Sequence, residues 1–358
     1  MSDSRNSSSG SRPPLIGNTF LHPAVDYVLI GSVWSIAAVI YWSFRPSLMM
    51  TVNSDVWIWA VLLANSTHFA ASTVRLYNRP VYYREFSFLA FAFPAITMAG
   101  LVACLVFPGS LGRYLQVIYL TWAPFHYAKQ IYGLSLMYSF RSGFKLDTGD
   151  KRLIYWVSML PFWFALFGGS PHMGAGWLLP PEFVRDVPGL LTALTGLKNG
   201  LMVAVFAAPI YLYWKMWSAK GGILPLIVLM MMLSNGLWWT VLNFDEAFVL
   251  ATIGHGIQYL AITLIYHVRE QMNEPENRHG PVYHAVSFYT KCLILGYALF
   301  SCWPWIFVWA GFGVAQSMLL VIAIINIHHF VVDAYIWRLR VPANREALAD
   351  RGSPVPTA

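Results

Sequence analysis

The sequence predicts an all-α, polytopic membrane bundle of about ten transmembrane helices with both termini cytoplasmic. Three observations predict it. Of 358 residues, 57% are hydrophobic and only 11% charged, against the roughly 25% charged residues usual in soluble domains. A chain of 40.4 kDa with so few charges lacks the polar side chains to cover a water-facing surface. Apolar stretches of membrane-spanning length recur along it, and Lys and Arg gather on one side of their alternation.

Taken in order, residues 1–21 are rich in Ser, Gly, Pro and Asn with no apolar core, which predicts a disordered cytoplasmic tail and not a signal peptide. Residues 22–340 then form a single transmembrane domain, followed by a second cytoplasmic tail over 341–358. Stretches able to cross about 30 Å of hydrocarbon at 1.5 Å per residue fall at 25–44, 55–76, 86–107, 113–139, 152–170, 199–218, 222–242, 246–268, 286–311 and 314–337. Between the fifth and sixth, Pro171, Pro180, Pro181 and Pro188 mark a re-entrant or surface excursion over 171–197.

Positively charged loops stay in the cytoplasm. An inside N terminus leaves only Arg45, Arg113, Arg185 and Lys198 outside, with Lys129 and Lys291 inside spans and every other Lys and Arg cytoplasmic. The formal charge of +7 therefore reads as topology; no basic stripe with interleaved aromatics points to nucleic acid. Cys104, Cys292 and Cys302 have no CxxC spacing, which excludes a disulfide framework or a zinc ribbon. The expected location is the inner (cell) membrane of a bacterium.

Polar side chains at bilayer depth are costly and tend to face the bundle interior, where they mark a site or pathway. The second span carries His68-Phe-Ala-Ala-Ser72 and the fourth His126-Tyr-Ala-Lys-Gln130. The eighth carries His255-Gly-Ile-Gln258-Tyr259, and the tenth His328-His329-Phe-Val-Val-Asp333. Three of these share a histidine, an aromatic neighbour and a polar residue four positions on, one turn away on the same face. All four spans are even-numbered and so run in one direction, at depths compatible with a single layer. Several imidazoles in a dry layer suit a transition metal, and the polar neighbour supplies the hydrogen bond that a ligating ring needs on its other nitrogen. His68, His126, His255 and His328 or His329 are the candidate ligands, with Ser72, Gln130, Gln258, Tyr259 and Asp333 as orienting or oxygen-binding groups. Adjacent residues lie about 100° apart on a helix, so the doublet places one ring as ligand and one behind it, or gives each to a different metal of a pair. His22, Asp26 and His267 are further candidates at the cytoplasmic level, near Glu270, His279 and His284; Lys129 either snorkels or pairs with Asp333.

A bundle with histidines scattered singly over several helices resembles the Brp/Blh-type membrane dioxygenases that cleave carotenoids, where such histidines hold one non-haem iron. The resemblance rests on the span count and the intramembrane histidines and carries no residue over. Membrane di-iron desaturases and hydroxylases are the more distant comparison. Their signature is clustered H-x(3,4)-H and H-x(2,3)-H-H boxes, of which this chain has only the His328-His329 doublet. The expected function is an integral-membrane, metal-dependent oxygenase, with one or two iron ions, acting on a lipid-soluble substrate such as an isoprenoid or fatty acyl chain. Any electrons come from a partner protein. The alternatives are a proton-coupled transporter, in which His126, Lys129, His255 and Asp333 form a titratable chain, and a haem-b electron-transfer subunit.

Overall fold

The computed structural model describes residues 15–44, 59–78, 80–168, 170–220 and 222–337. Residues 1–14 and 341–358 of the expected tails, and residues 55–58 of the second expected span, lie outside the described residues. So do Arg5, Arg12, Arg45, Arg79, Arg338, Arg340, Arg345 and Arg351 of the charge pattern.

The described residues are mostly helical, with no strand among them. Their principal elements follow the expected stretches in order. The first, α1, is a bent pair, Pro23–Ile30 and Val33–Phe44, turned by 53° at a break. It is followed by α2 (59–78), α3 (Phe88–Val106), α4 (Arg113–Arg141) and α5 (Thr148–Leu166). Then come α6 (Leu190–Lys220), α7 (Leu226–Val241), α8 (Phe244–Met272), α9 (Pro281–Trp309) and α10 (Val314–Ile336).

Several boundaries differ from expectation by four residues or more, among them the starts of α5, α6, α7 and α9 (Thr148, Leu190, Leu226 and Pro281 against 152, 199, 222 and 286). Helix α6 starts at Leu190 and not at 199, because its polar first turns (Thr192, Thr195, Lys198, Asn199) lower hydropathy without breaking a helix; Gly189, at φ +80°, precedes it. The excursion before it contains two short helices, Gly174–Leu178 and Pro181–Asp186. Helix α5 starts at Thr148 because Asp147 accepts from the Asp150 N–H while the Asp150 carboxylate accepts from the Asp147 N–H, a reciprocal cap that apolar periodicity does not reveal.

By length and hydropathy five helices can cross a membrane, namely α3, α6, α8, α9 and α10, and the bent α1 makes a sixth if it is one span. Helix α7 is apolar but has 16 residues. The helices bearing His68 and His126, α2 and α4, fall short because their inner faces carry polar groups. The share of the apolar window buried inside the bundle separates two layers: 67% in α8 and 61% in α10, against 28% in α3, 17% in α9 and 6% in α6. Large apolar side chains on the outer layer, such as Ile96, Val203, Ile210 and Trp214, lie exposed. Water would penalise such a surface and hydrocarbon would not, so the bundle fits a membrane-embedded protein.

Backbones meet closely around α2. A Cβ on Gly256 of α8 would lie 2.9 Å from the Ala64 carbonyl oxygen and 3.1 Å from His68 Nδ1. One on Gly296 of α9 would lie 2.7 Å from the Ser66 carbonyl oxygen. Small residues are what let helices approach to this distance when lipid supplies no hydrophobic drive, and here the approach presses His68 against its neighbours.

Candidate metal centre

Helices α2, α8, α4 and α10 touch in that cyclic order, and each sends one histidine inward. The rings of His68, His255, His126 and His329 follow the same order. Successive centroids lie 4.9 Å (His68 to His255), 4.9 Å (His255 to His126), 5.1 Å (His126 to His329) and 4.9 Å (His329 to His68) apart. Each neighbouring pair is edge to face, at 73–87°. An imidazole bound at about 2.1 Å through one nitrogen has its centroid about 3.2 Å from the ion, so neighbouring rings about 5 Å apart are spaced as ligands that share an ion can be.

Nitrogen chemistry fits as well. All four histidines are buried, and neither nitrogen of His68 or His255, nor Nε2 of His126 or His329, has a hydrogen bond of normal geometry. A buried polar atom left without a partner costs about 1–3 kcal/mol, so a cluster of them is expensive unless something binds there. Donor atoms of His68, His255 and His329 lie within 4.8 Å of one another, as do those of His126, His329 and Asp333. Asp333 Oδ2 is 3.5 Å from His329 Nε2 and 3.8 Å from His126 Nε2. These spacings are too long for hydrogen bonds and within the range, about 3–4.2 Å, for two ligands sharing an ion at about 2.1 Å.

Side chains from other helices hold the ring. Ser72 Oγ donates to the Phe69 carbonyl at 2.9 Å and lies 2.9 Å from His329 Nδ1. With the hydroxyl proton on Phe69, His329 donates its Nδ1–H and turns the lone pair of Nε2 toward the centre. Asp333 Oδ1 accepts from the Tyr259 hydroxyl at 2.7 Å, and that hydroxyl in turn accepts from Trp337 Nε1 at 3.1 Å. Tyr127 lies against His255 at 4.5 Å and donates to or accepts from Thr252 at 2.8 Å, while Phe330 covers His126 at 4.5 Å. Removing the Ser72 hydroxyl releases the His329 tautomer. Ser72→Ala is expected to weaken metal binding about 10–100-fold with unchanged helical content, measured by chelator competition against circular dichroism; equal affinity would deny Ser72 this role.

The expected residues separate clearly. His68, His126, His255, His329, Asp333 and Tyr259 come together. Gln130 and Gln258 serve the main chain: Gln130 Nε2 donates to the His255 carbonyl and to Gln258 Oε1, both at 3.2 Å. Gln258 Nε2 donates at 2.8 Å to the Ile30 carbonyl, beside the break in α1. Both hold the α8 backbone, and Gln130 also lines the cavity that His126, Tyr259 and Asp333 line. His328 turns away, stacked on Phe93 at 5.2 Å, because its 100° offset from His329 aims it between α10 and α3. His329 keeps its own i+4 neighbour Asp333 beside it, whereas Ser72 and Gln130 find partners across helices. In those two cases both the histidine and its i+4 residue point into the bundle and meet the facing helix first, as Ser72 meets His329.

Three further candidates belong elsewhere. His22 is exposed and caps α1, its Nδ1 accepting from the Ala24 N–H at 3.2 Å. Asp26 is buried and accepts from the Phe20 and Leu21 N–H groups and the Tyr138 hydroxyl, which ties the chain entering α1 to α4. His267 stacks on Phe288 at 4.4 Å and sits 12 residues along α8 from His255, about 18 Å away. Lys129 does not pair with Asp333; its ammonium lies over the rings of Tyr132 and Tyr155, at 5.3 and 4.9 Å.

A cavity of about 380 Å³ adjoins the centre between α4, α8 and α10. His126, Lys129, Gln130, Tyr259 and Asp333 are the charged and polar groups of its lining besides the tyrosine and tryptophan at Tyr132 and Trp337, and Trp122, Phe125, Met137, Ile262 and Phe330 are among its apolar walls. Across Trp122 and Phe125 lies a second apolar cavity of about 480 Å³. Sequence reasoning missed the buried ion pair of Arg75 with Glu270 at 2.7 Å, although a lone Arg late in an apolar span is the signal for one. Arg75 also lies 4.8 Å from the Trp337 ring, which links the pair to Tyr259 and Asp333. In comparisons with family models, curated proteins and solved structures, nothing matches this chain.

Proposed function

We propose that this chain is an integral-membrane oxygenase that holds a transition metal, iron by preference, between His68, His126, His255 and His329 and acts on a lipid-soluble substrate. The observation that carries the reading is the closed ring of four buried imidazoles with bare nitrogens beside an apolar cavity. In this reading the ten helices span the bilayer with both termini cytoplasmic, in the inner membrane of a bacterium, and the substrate enters sideways from the lipid.

A bound iron ion supplies dioxygen activation. The chain's own residues set the conditions for it. Tyr127, Phe330 and Phe69 close around the imidazoles and exclude water, which protects reactive species. Asp333 presents Oδ2 toward the centre and accepts a hydrogen bond from the Tyr259 hydroxyl on Oδ1, so its free oxygen can hold or pass a proton at the edge of the cavity. Trp337 fixes the Tyr259 hydroxyl in that direction. The apolar walls bind a hydrocarbon chain, and any electrons that the substrate does not itself provide come from a partner protein.

Clustering in one ring favours a metal centre over a titratable relay, which would be strung across the bilayer. It also disfavours haem, whose macrocycle brings four nitrogens of its own to the positions that the four imidazoles occupy. Metal analysis and an optical spectrum of the detergent-purified protein test the reading. About one iron per chain and no Soret band are expected, and chelation should abolish oxygen uptake in the presence of lipid extracts. Protein that folds and carries no transition metal after expression with added iron would overturn it.

A further inference from the structure

We propose that the cavity beside the ring takes an amphiphile with an anionic head, specifically a long-chain carboxylate, held by Lys129 at the cavity rim with its chain directed toward His126. This deepens the oxygenase reading and rests on it for the identity of the cavity as the substrate's.

One face of α4 forms a wall of the cavity, with Trp122, His126, Lys129, Gly133 and Met137 following one another at helical spacing. His126 is buried in the cavity lining while Lys129, three residues on and about 4.5 Å further along the axis, is exposed and lines the same space. Lys129 pairs with no carboxylate among the described residues; Asp333, the acid lining the cavity, is engaged with Tyr259. Two tyrosine rings, Tyr132 and Tyr155, hold the ammonium, a contact that orients a cation without neutralising it.

The ammonium, exposed and held by ring faces, is a cation open to the head group of a molecule entering the cavity. A neutral hydrocarbon in the cavity would lay apolar surface against the ammonium. A carboxylate would meet it, leaving its chain to fill the space between Phe125, Ile262 and Phe330. Lys supplies a compact point charge on a flexible stem, which suits a single head group of variable position.

Quenching of tryptophan fluorescence by dibromostearate and by its methyl ester tests this on the full chain in a neutral detergent, since Trp122 and Trp337 line the cavity. The acid is expected to bind about tenfold more tightly than the ester. Lys129→Met should remove that preference while ester binding and iron content stay as in the wild type, and Lys129→Arg should retain it. Equal affinity for acid and ester, or a preference that survives in Lys129→Met, overturns the proposal. Displacement of dibromostearate by phosphatidylglycerol as readily as by stearate would assign the charge to bulk membrane lipid and overturn it too. Repeating the titration on chelated protein separates this result from the metal reading, because head-group binding needs no ion and metal analysis reads the centre independently.

Discussion

His329→Ala is expected to abolish metal binding at the proposed centre, whereas His328→Ala is expected to leave it intact. His329 is the residue common to both groups of donor atoms, and its ring stands next to His68 and His126 at 4.9 and 5.1 Å. Its removal opens the ring of four and also releases Ser72 and the facing Asp333 oxygen. His328, one residue earlier, stacks on Phe93 outside the ring. Metal affinity is expected to fall at least 100-fold in His329→Ala and less than about threefold in His328→Ala, by metal content after graded chelation. Since His329 Nε2 is one of the ring nitrogens without a hydrogen bond, a cost to the fold when empty, His329→Ala is not expected to lower the melting temperature of chelated protein by much. Equal metal loss in both variants would mean that the doublet acts as a unit and would sink the one-ring assignment.

Glu270→Ala is expected to destabilise the folded bundle by about 3–5 kcal/mol, the cost of breaking a buried ion pair by deleting one partner. Arg75 and Glu270 are 3% and 8% exposed, and Glu270 Oε1 accepts from the guanidinium at 2.7 Å. Tyr82, Tyr266 and Trp337 surround Arg75 at 5.2, 5.8 and 4.8 Å, so little water can reach the cation once the carboxylate is gone. Replacing both members, Arg75→Met with Glu270→Leu, should recover most of the loss, because it removes the buried charge along with its partner. Thermal denaturation followed by tryptophan emission measures both. A single variant within about 1 kcal/mol of wild type would show that the pair is solvated in the membrane. Because Trp337 bridges Arg75 and Tyr259, the single variant is also expected to loosen the Asp333 contact.

Much of the fold was legible along the chain. Each of the ten expected stretches overlaps a helix among the described residues, since a length of apolar sequence is a local property, while five helices, or six with the bent α1, are long and apolar enough to cross a membrane. The misjudged starts of α5 and α6 arose where polar residues belong to a helix for reasons of capping or continuity that hydropathy does not register. The candidate site was legible in part. Four of the five foremost histidines converge, and Asp333 and Tyr259 join them. Ser72, Gln130 and Gln258 have partners that the sequence did not indicate.

By itself, then, the sequence determined an apolar helical bundle and the short set of polar side chains its interior must accommodate. Periodicity sets which residues share a face of one helix. It does not set how that helix is rotated and stacked against the next, so only the tertiary structure decided that His329 and not His328 faces the centre. The same packing put Ser72 on His329, withdrew Gln258 to the break in α1, and left Lys129 at the rim of the cavity. Helix phase is a local quantity, whereas the meeting of four imidazoles depends on close approach at Gly256 and Gly296, which side-chain volume on neighbouring helices governs.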